Sequence, residues 1–379
     1  MSQTFVKYNP DVERADPDFD ENLQKVVAMT KKYVEDSFTT DEGGRHRAIR
    51  SAHAKSYGLA RAEVEILDGL APEYAQGIYA HPGKHEALIR YSNGSPHVAP
   101  DEVLGNATGM GLKIFGIEGP TLLEDEPDSH TFDYATIRYP VFFANNVEHY
   151  VFIQPLFSNA GSYFSRGKQG EHEFFHDFVT GNGTLEPGDW AWDELGVLLR
   201  LTQLPPLNIL LSTHWTMGAV RHGDYVAKVS FAPTKESTEK VTRRVLDPPS
   251  TPEIYRPALV AELQEHPYEY DLRVQLCVDL EKMPVEDVTV EWPEALSPPV
   301  MVAKIRVPQQ DISGEENLAL TDATSITAWR VREEHRPLGN IMRTRKEVYR
   351  QSSIIRHELN DQTRREPSNL AEVFGGSSC

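Results

Sequence analysis

The chain has 379 residues and a formal net charge of −19, with 39% hydrophobic and 25% charged residues. This composition is typical of a globular protein, and the length allows one large domain or two of ordinary size. The acidic excess argues against a nucleic-acid-binding surface and against a polybasic membrane patch, because both need clustered Lys and Arg.

Cysteine usage and hydropathy favour a reducing, cytoplasmic location. The two cysteines, Cys277 and Cys379, form neither a metal-binding pair nor a disulfide framework. Cys277 falls in a predicted strand, where we expect a buried, inert thiol. The polar first 20 residues do not resemble a secretory signal. The most apolar stretch, 195–211, contains an arginine and two prolines, so no membrane span is expected.

In chain order, residues 1–45 are predicted to form an N-terminal helical arm. Apolar residues recur at helical spacing from Phe19 to Phe38, after Pro17. A turn is expected at Asp41-Glu42-Gly43-Gly44, before the next element.

Residues 46–335 carry mainly a β pattern, interrupted by a predicted helical insertion at about 165–212. Short runs of alternating or continuous apolar residues are separated by Pro, Gly, Asn and Asp. Few helices intervene, which favours an antiparallel barrel or sandwich over a parallel α/β sheet. The predicted strands are Leu59–Leu67, Ala87–Ser92, Gly109–Phe115, His130–Arg138, Tyr225–Phe231, Leu272–Leu280 and Val300–Val307.

The last part, residues 336–379, is predicted to be a C-terminal helical segment. Pro337 and Gly339 precede a run from Asn340 to Leu359 that is rich in helix-forming residues.

One metal-binding motif is present. His172-Glu173-Phe174-Phe175-His176 has the His-Glu-x-x-His form, which on a helix could hold zinc with Glu173 as general base. Glu186 or Glu194 could supply a third ligand. The extended motif is absent, and nothing else in the sequence indicates zinc, so we favour the start of an ordinary structural helix.

Three other segments are informative when taken together: Arg50-Ser51-Ala52-His53-Ala54-Lys55, Ile89-Arg90-Tyr91-Ser92, and Arg345 to Tyr349 followed by Arg356. In these motifs, and in their spacing, residues 45–357 resemble the catalase family. The resemblance implies a closed antiparallel eight-stranded β-barrel of the mainly β, α+β class, with an N-terminal arm, a helical insertion and C-terminal helices. It also implies haem b, iron protoporphyrin IX, as cofactor.

On a helix, Arg345 and Tyr349 are one turn apart, and Arg356 returns to the same face two turns later. A tyrosine phenolate can ligate haem iron, as in catalase, and a neighbouring guanidinium favours the anion. The resemblance assigns the iron to Tyr349, a hydrogen bond to Arg345, and the haem propionates to Arg50, Arg90 and Arg356. Planar guanidinium groups suit carboxylates.

By the same resemblance, His53 lies on the peroxide side and Ser92 holds its imidazole. Such a bond would fix the tautomer and leave the other nitrogen free to move a proton between peroxide oxygens. His53, Ser92 and Arg345 are therefore the predicted catalytic residues.

The sequence also departs from the family. Where catalases have a distal asparagine, this chain has Ile137, followed by Arg138. We expect Ile137 to face the haem, because burying an uncharged side chain costs less. Phe142 is a candidate for stacking on the haem, and Tyr150 stands where the family has phenylalanine; both could equally be core residues. His214 either lies near the proximal arginines or ends a strand.

These observations favour a haem-dependent peroxidase that activates hydrogen peroxide or an organic hydroperoxide with a small-molecule second substrate, and has weak catalase activity. The first alternative is hydroperoxide rearrangement, of the allene oxide synthase type, or a dedicated biosynthetic oxidation. The second is a non-enzymatic barrel that binds haem or an apolar ligand. A homo-oligomer is a family-level expectation.

Overall fold

The structure, a computed structural model, describes residues 4–40, 46–246 and 252–375. The β-strands in this part of the chain are β1 (Ser56–Ile66), β2 (Gly83–Asn93), β3 (Thr108–Phe115), β4 (Thr131–Ile137), β5 (His214–Trp215), β6 (Val220–His222), β7 (Tyr225–Pro233), β8 (Tyr268–Leu276) and β9 (Val300–Val307).

The α-helices in the described ranges are α1 (Phe19–Thr40), α2 (Asp101–Leu104), α3 (Val147–Ser158), α4 (Ala160–Phe164), α5 (Lys168–Thr180), α6 (Trp192–Thr202), α7 (Lys235–Lys240), α8 (Tyr255–Glu265), α9 (Glu315–Ala323), α10 (Asn340–Leu359) and α11 (Leu370–Phe374). Short 3-10 helices lie at Pro10–Val12, Gly77–Ala80, Ile209–Leu211 and Glu333–His335. None of the helices in these ranges combines the length and apolarity needed to cross a bilayer.

The strands form one antiparallel sheet in the order β5-β4-β3-β2-β1-β9-β8-β7-β6. A further pairing joins β5 to β7, with His214 opposite Phe231 and Trp215 opposite Ser230. This pairing closes eight strands into a barrel and leaves β6 as an extra strand beside β7. The predicted fold class is therefore confirmed.

Alternation of side chains along the strands fills the barrel. In β1, Ala60, Ala62 and Val64 are buried in the core, whereas the arginine and glutamates between them are only half-buried. Inward residues from β2 and β8, such as Tyr91 and Tyr270, pack in the same cluster. Full burial of one large apolar side chain contributes roughly 1.5–3 kcal/mol, and a one-residue slip would turn each strand's apolar face outward.

Helix α10 packs against α1 and α3. A small apolar cluster joins Val26 of α1, Val147 of α3, and Ile341 and Val348 of α10. The bounds of α10, Asn340–Leu359, are those predicted from the sequence. The helix therefore has one face held by packing and a neighbouring face, which includes Tyr349, directed at a cavity.

Two strands were not predicted, and one was misplaced. Strands β5 and β6 have only two and three residues, too few for alternation to be visible. The strand predicted at Leu272–Leu280 is Tyr268–Leu276, because its pairing with β7 and β9 begins earlier. Cys277 thus lies just beyond β8; it is fully buried, and burial raises the pKa of its thiol to about 11.

The helical insertion begins at Val147, earlier than the predicted boundary near 165. Helix α3 was missed because it carries an internal proline, Pro155, and is apolar on most sides, so no polar face marks its period. The turn predicted at 41–44 lies outside the described residues. So do residues 1–3 of the predicted arm and residues 376–379 of the predicted tail, which include Cys379.

Candidate functional site

His53 lies just before β1 in a strained, left-handed backbone conformation, with φ of 54°. This region is unfavourable for a non-glycine residue by roughly 1–3 kcal/mol. Its amide donates to the Gly94 carbonyl at 3.4 Å, and its carbonyl accepts from the Arg90 guanidinium at 3.0 Å. These two hydrogen bonds, to β2 and to the loop that follows it, stabilise the strained conformation of His53. This conformation sets the direction of the imidazole.

The imidazole is fixed through one ring nitrogen. Its Nδ1 is 3.0 Å from the hydroxyl oxygen of Ser92. Burial, and then the positive charges of Arg90, Arg345 and Arg50, lower the pKa of His53 to about 3. The imidazole is therefore neutral at ordinary pH and can accept a proton.

Tyr349 and Arg345 are adjacent on α10, as the spacing predicted. The Arg345 guanidinium donates to the Tyr349 hydroxyl oxygen at 2.8 Å from Nη2 and at 3.2 Å from Nε. Arg345 is itself buried, so its charge acts on the phenolic oxygen with little screening by solvent.

Two adjacent cavities bring the two pairs together. One, of about 100 Å³, is lined by His53, Ser92 and Tyr349 together with arginines. The other, of about 310 Å³, is lined by His53, Tyr349 and mainly apolar side chains. His53 and Tyr349 line both, although they are far apart in the chain.

Several arginines line the smaller cavity, among them Arg90 and Arg356, which are buried, and Arg50, which is half-buried. Arg50, Arg90 and Arg356 all line it, and all three donate to backbone carbonyls of the segment 321–324 or to neighbouring groups. The opposing carboxylate is Asp322 on α9, which pairs with Arg47 and lies 3.9 Å from Arg50. Burial and the neighbouring guanidinium groups lower the pKa of Arg90 and Arg356.

This charge balance fits a dianionic cofactor. Four arginines, Arg47, Arg50, Arg90 and Arg356, lie around the carboxylate of Asp322. The buried Nε of Arg356 has no hydrogen-bond partner within the described ranges. Buried cations are stable when they are paired and hydrogen-bonded. A group bearing two carboxylates, as haem does, would pair with these arginines.

The larger cavity is mainly apolar, and Ile137 is one of the side chains that line it. Arg138 is directed elsewhere: it donates to the carbonyls of Pro205, at 2.7 Å, and Asn106. Phe142 and Tyr150 also line this cavity, with ring centroids 5.8 Å apart.

The other candidate residues lie away from this site. His172 and His176 are exposed on α5, where Glu173 pairs with Arg166 and His176 lies beside Asp177. The described part of the chain contains no group of three or more His, Cys, Asp or Glu residues placed to hold a metal ion.

Two further candidates also have other contacts. Glu194, proposed as a third zinc ligand, is buried and pairs with His149. His214 is fully buried in β5; its Nδ1 lies 3.0 Å from the Ser212 carbonyl oxygen, as befits the end of a strand.

Sequence reasoning missed Asp322 and Ile326. Asp322 pairs with the arginines, and Ile326 lines the smaller cavity near Gly111. Both lie in or after α9, which the sequence pattern did not reveal, and neither stands in a motif.

The fold is that of the catalases. The chain superimposes on a fungal catalase with a TM-score of 0.60 and 15% identity, over 99% of this chain and 74% of that one. For catalase A from Saccharomyces cerevisiae the TM-score is 0.58, at 16% identity over 99% and 76%. For a bacterial catalase it is 0.57, at 13% identity over 96% and 66%.

No protein-family model matches the sequence, and neither does any curated protein. The likeness is thus one of fold.

Proposed function

We propose that the protein is a haem-dependent peroxidase of the catalase-like kind, acting on hydrogen peroxide or an organic hydroperoxide. One observation carries the proposal. His53, in hydrogen-bond contact with Ser92, and Tyr349, in hydrogen-bond contact with Arg345, line the same two adjacent cavities.

Tyr349, Arg50, Arg90 and Arg356 would hold the cofactor. A bound haem would supply the redox centre at which the peroxide O–O bond is cleaved. Tyr349 would ligate the iron through its phenolate, and Arg345 would stabilise that anion through its two hydrogen bonds. The three arginines would pair with the propionates.

His53 would move the proton. With Nδ1 in contact with Ser92, Nε2 would take a proton from one peroxide oxygen and return it to the departing oxygen. In overall balance, a hydroperoxide takes two electrons and two protons and gives an alcohol and water. The electrons would come from a small organic reductant, the second substrate.

The apolar side chain of Ile137 favours peroxidase over catalase turnover. It lines the cavity where catalases have an asparagine, so it offers no hydrogen bond to orient a second peroxide molecule. The apolar residue at position 137 also favours a second candidate function, the rearrangement of an organic hydroperoxide. This reaction needs no external electrons.

The absorbance spectrum tests the proposal. Protein loaded with haem should show a high-spin ferric spectrum typical of phenolate ligation, and stoichiometric peroxide should change it. Protein that stays colourless after haem is supplied would rule out the proposal. A haem spectrum that peroxide leaves unchanged would indicate a carrier, and consumption of a lipid hydroperoxide without reductant would favour rearrangement.

A further inference from the structure

We infer that Ser56 and Asp322 are positioning residues for His53. Together with Arg90 they form one chain of hydrogen bonds, which stabilises the strained backbone of His53 and so directs its imidazole. The inference rests on the proposed function, in which His53 moves the proton. It starts from the left-handed backbone of His53, with φ of 54°, whose free-energy cost other contacts must offset.

Strand β2 contacts His53 at two points. The hydroxyl oxygen of Ser92 lies 3.0 Å from Nδ1 of the imidazole, and Nη2 of Arg90 donates to the His53 carbonyl at 3.0 Å. Ser92 and Arg90 are two residues apart in one strand, so they lie on the same face of the sheet. The His53 amide donates to the Gly94 carbonyl over a longer distance, 3.4 Å. The bond from the charged guanidinium of Arg90 is therefore the stronger of these two backbone contacts.

Ser56 fixes the donor group of Arg90. The same Nη2 that donates to His53 also donates to the Ser56 hydroxyl oxygen, at 2.8 Å. The Ser56 hydroxyl in turn donates to Oδ1 of Asp322, at 2.8 Å. One hydroxyl can accept and donate at once, and a carboxylate that only accepts sets the direction of the whole chain. Arg90 and Asp322 are buried, so solvent screens their charges little.

A β-bulge places Ser56 on the face that this contact requires. Ser56 is opposite Ser92 on β2. Leu59, three residues further along β1, is opposite Arg90, which is only two residues from Ser92. Residues three apart in a regular strand point to opposite faces, so without the bulge Ser56 would point into the barrel. The extra residue between Ser56 and Gly58 turns the hydroxyl towards Arg90.

The position of Asp322 is unfavourable for its own helix. It lies in the last turn of α9, where the helix dipole disfavours a negative charge. Its Oδ2 pairs with Arg47, and its Oδ1 lies 3.9 Å from a nitrogen of Arg50. Burial opposes ionisation of this carboxyl, but the guanidinium groups of Arg50 and Arg47 outweigh burial and lower the pKa of Asp322. Asp322 is therefore an anion at neutral pH and accepts from Ser56.

Ser56→Ala tests the middle of the chain, because it removes one hydroxyl and leaves every charge in place. In haem-loaded protein, stopped-flow absorbance should show peroxide activation slowed about three- to tenfold, the usual loss for one hydrogen bond, with haem content unchanged. Ser56→Thr, which keeps a hydroxyl, should restore the wild-type rate. Ser165→Ala is the matched control, since its exposed hydroxyl donates to the Ser162 carbonyl at 3.0 Å in the helical insertion.

Double variants distinguish positioning of His53 from a general structural role. Ser56→Ala added to His53→Ala should cause no further loss of rate, because the chain acts through the imidazole. Ser56→Ala combined with Asp322→Asn should be no slower than the slower single variant, because both changes weaken the same chain. A further loss in the His53→Ala background, or additive losses for the second pair, would overturn the inference.

A measurement without haem separates the two proposals. In full-length, haem-free protein with isotopically labelled histidine, NMR identifies the ring-nitrogen resonances of His53 by their loss in His53→Ala. These resonances should shift in Ser56→Ala and stay in place in Ser165→Ala. Unchanged resonances in Ser56→Ala would overturn the inference, even where a spectral response to peroxide supports the peroxidase proposal. Shifted resonances in a protein that takes up no haem would support the chain and defeat the proposed function.

Discussion

Gly109 on β3 and His53 share one small space. Gly109 is paired with Ser92 across β2 and β3, and a Cβ added at Gly109 would overlap the His53 imidazole and lie 3.0 Å from the Ser92 hydroxyl oxygen. The imidazole thus lies against the bare backbone of β3. The backbone of Gly109 has no positive φ that would require glycine. Glycine is needed here because a larger residue would not leave space for the imidazole.

Gly109→Ala should therefore displace the imidazole and leave the barrel folded. Misplacement of a catalytic group by about 1 Å can cost on the order of 100-fold in rate. We expect a fall of about that size in the rate of the peroxide-induced spectral change, with haem content unchanged. Gly83→Ala is the control, because nothing lies within 4 Å of a Cβ there. A variant that reacts at the wild-type rate would argue against proton transfer by His53.

His53→Ala should retain haem and slow peroxide activation about 10²- to 10⁴-fold, the usual contribution of a positioned acid–base group. Stopped-flow absorbance measures the rate directly. His176→Ala, at an exposed position of α5, should react normally. An undiminished rate in His53→Ala would mean that another group moves the proton.

Tyr349→Phe should remove the proposed ligand of the haem iron. We expect lower haem content or an altered Soret spectrum, and a smaller spectral change for Arg345→Gln, which retains the phenol but removes the hydrogen bonds of 2.8 and 3.2 Å. Haem content by the pyridine haemochrome assay, with the spectrum of the ferric protein, checks both. Normal content and spectrum in Tyr349→Phe would remove the ligand assignment.

Ile137→Asn should raise the turnover of hydrogen peroxide to oxygen. The side chain lines the cavity with His53, so an amide there could orient the peroxide. Oxygen release, followed with an electrode, should increase relative to peroxidase turnover. If the ratio does not change, the apolar residue at 137 does not set the balance between the two reactions.

The folded protein should lose stability as the pH falls, and the loss should begin at pH values well above those at which carboxylates titrate. Burial lowers the pKa of His214 to about 3 and that of His222 to about 4. The unfolded chain binds these protons near pH 6.5 and the folded chain does not, so stability is lost as the pH falls below about 6.5.

Each such histidine can contribute up to about 1.4 kcal/mol per pH unit in that range. Denaturant unfolding at pH 7, 6 and 5 measures the slope, and His222→Gln should make it shallower. The same slope in wild type and variant would mean that His222 is not buried as a neutral group.

The barrel was predictable because its signals are local and repeated. Long strands such as β9 show their apolar alternation in the sequence, and the bounds of α10 follow from Gly339 and a continuous run of helix formers. Closure of the barrel was expected only from the resemblance to catalases. The residue pattern does not show it, because closure depends on β5, whose two residues pair with β4 and β7. Helix α3 was also not predictable, because its sequence is apolar on most sides and has no helical period that distinguishes it from a buried strand.

The sequence by itself determined the two chemical pairs: the spacing of Arg345 and Tyr349 on one helix, and the motif match of His53 with Ser92. Tertiary structure alone decided what surrounds them. Asp322 on α9 pairs with the arginines, Gly109 leaves space for the imidazole, and Ile137 and Tyr150 line a mainly apolar cavity. These contacts join segments distant in the chain, and they form only when the barrel closes and the helices pack against it.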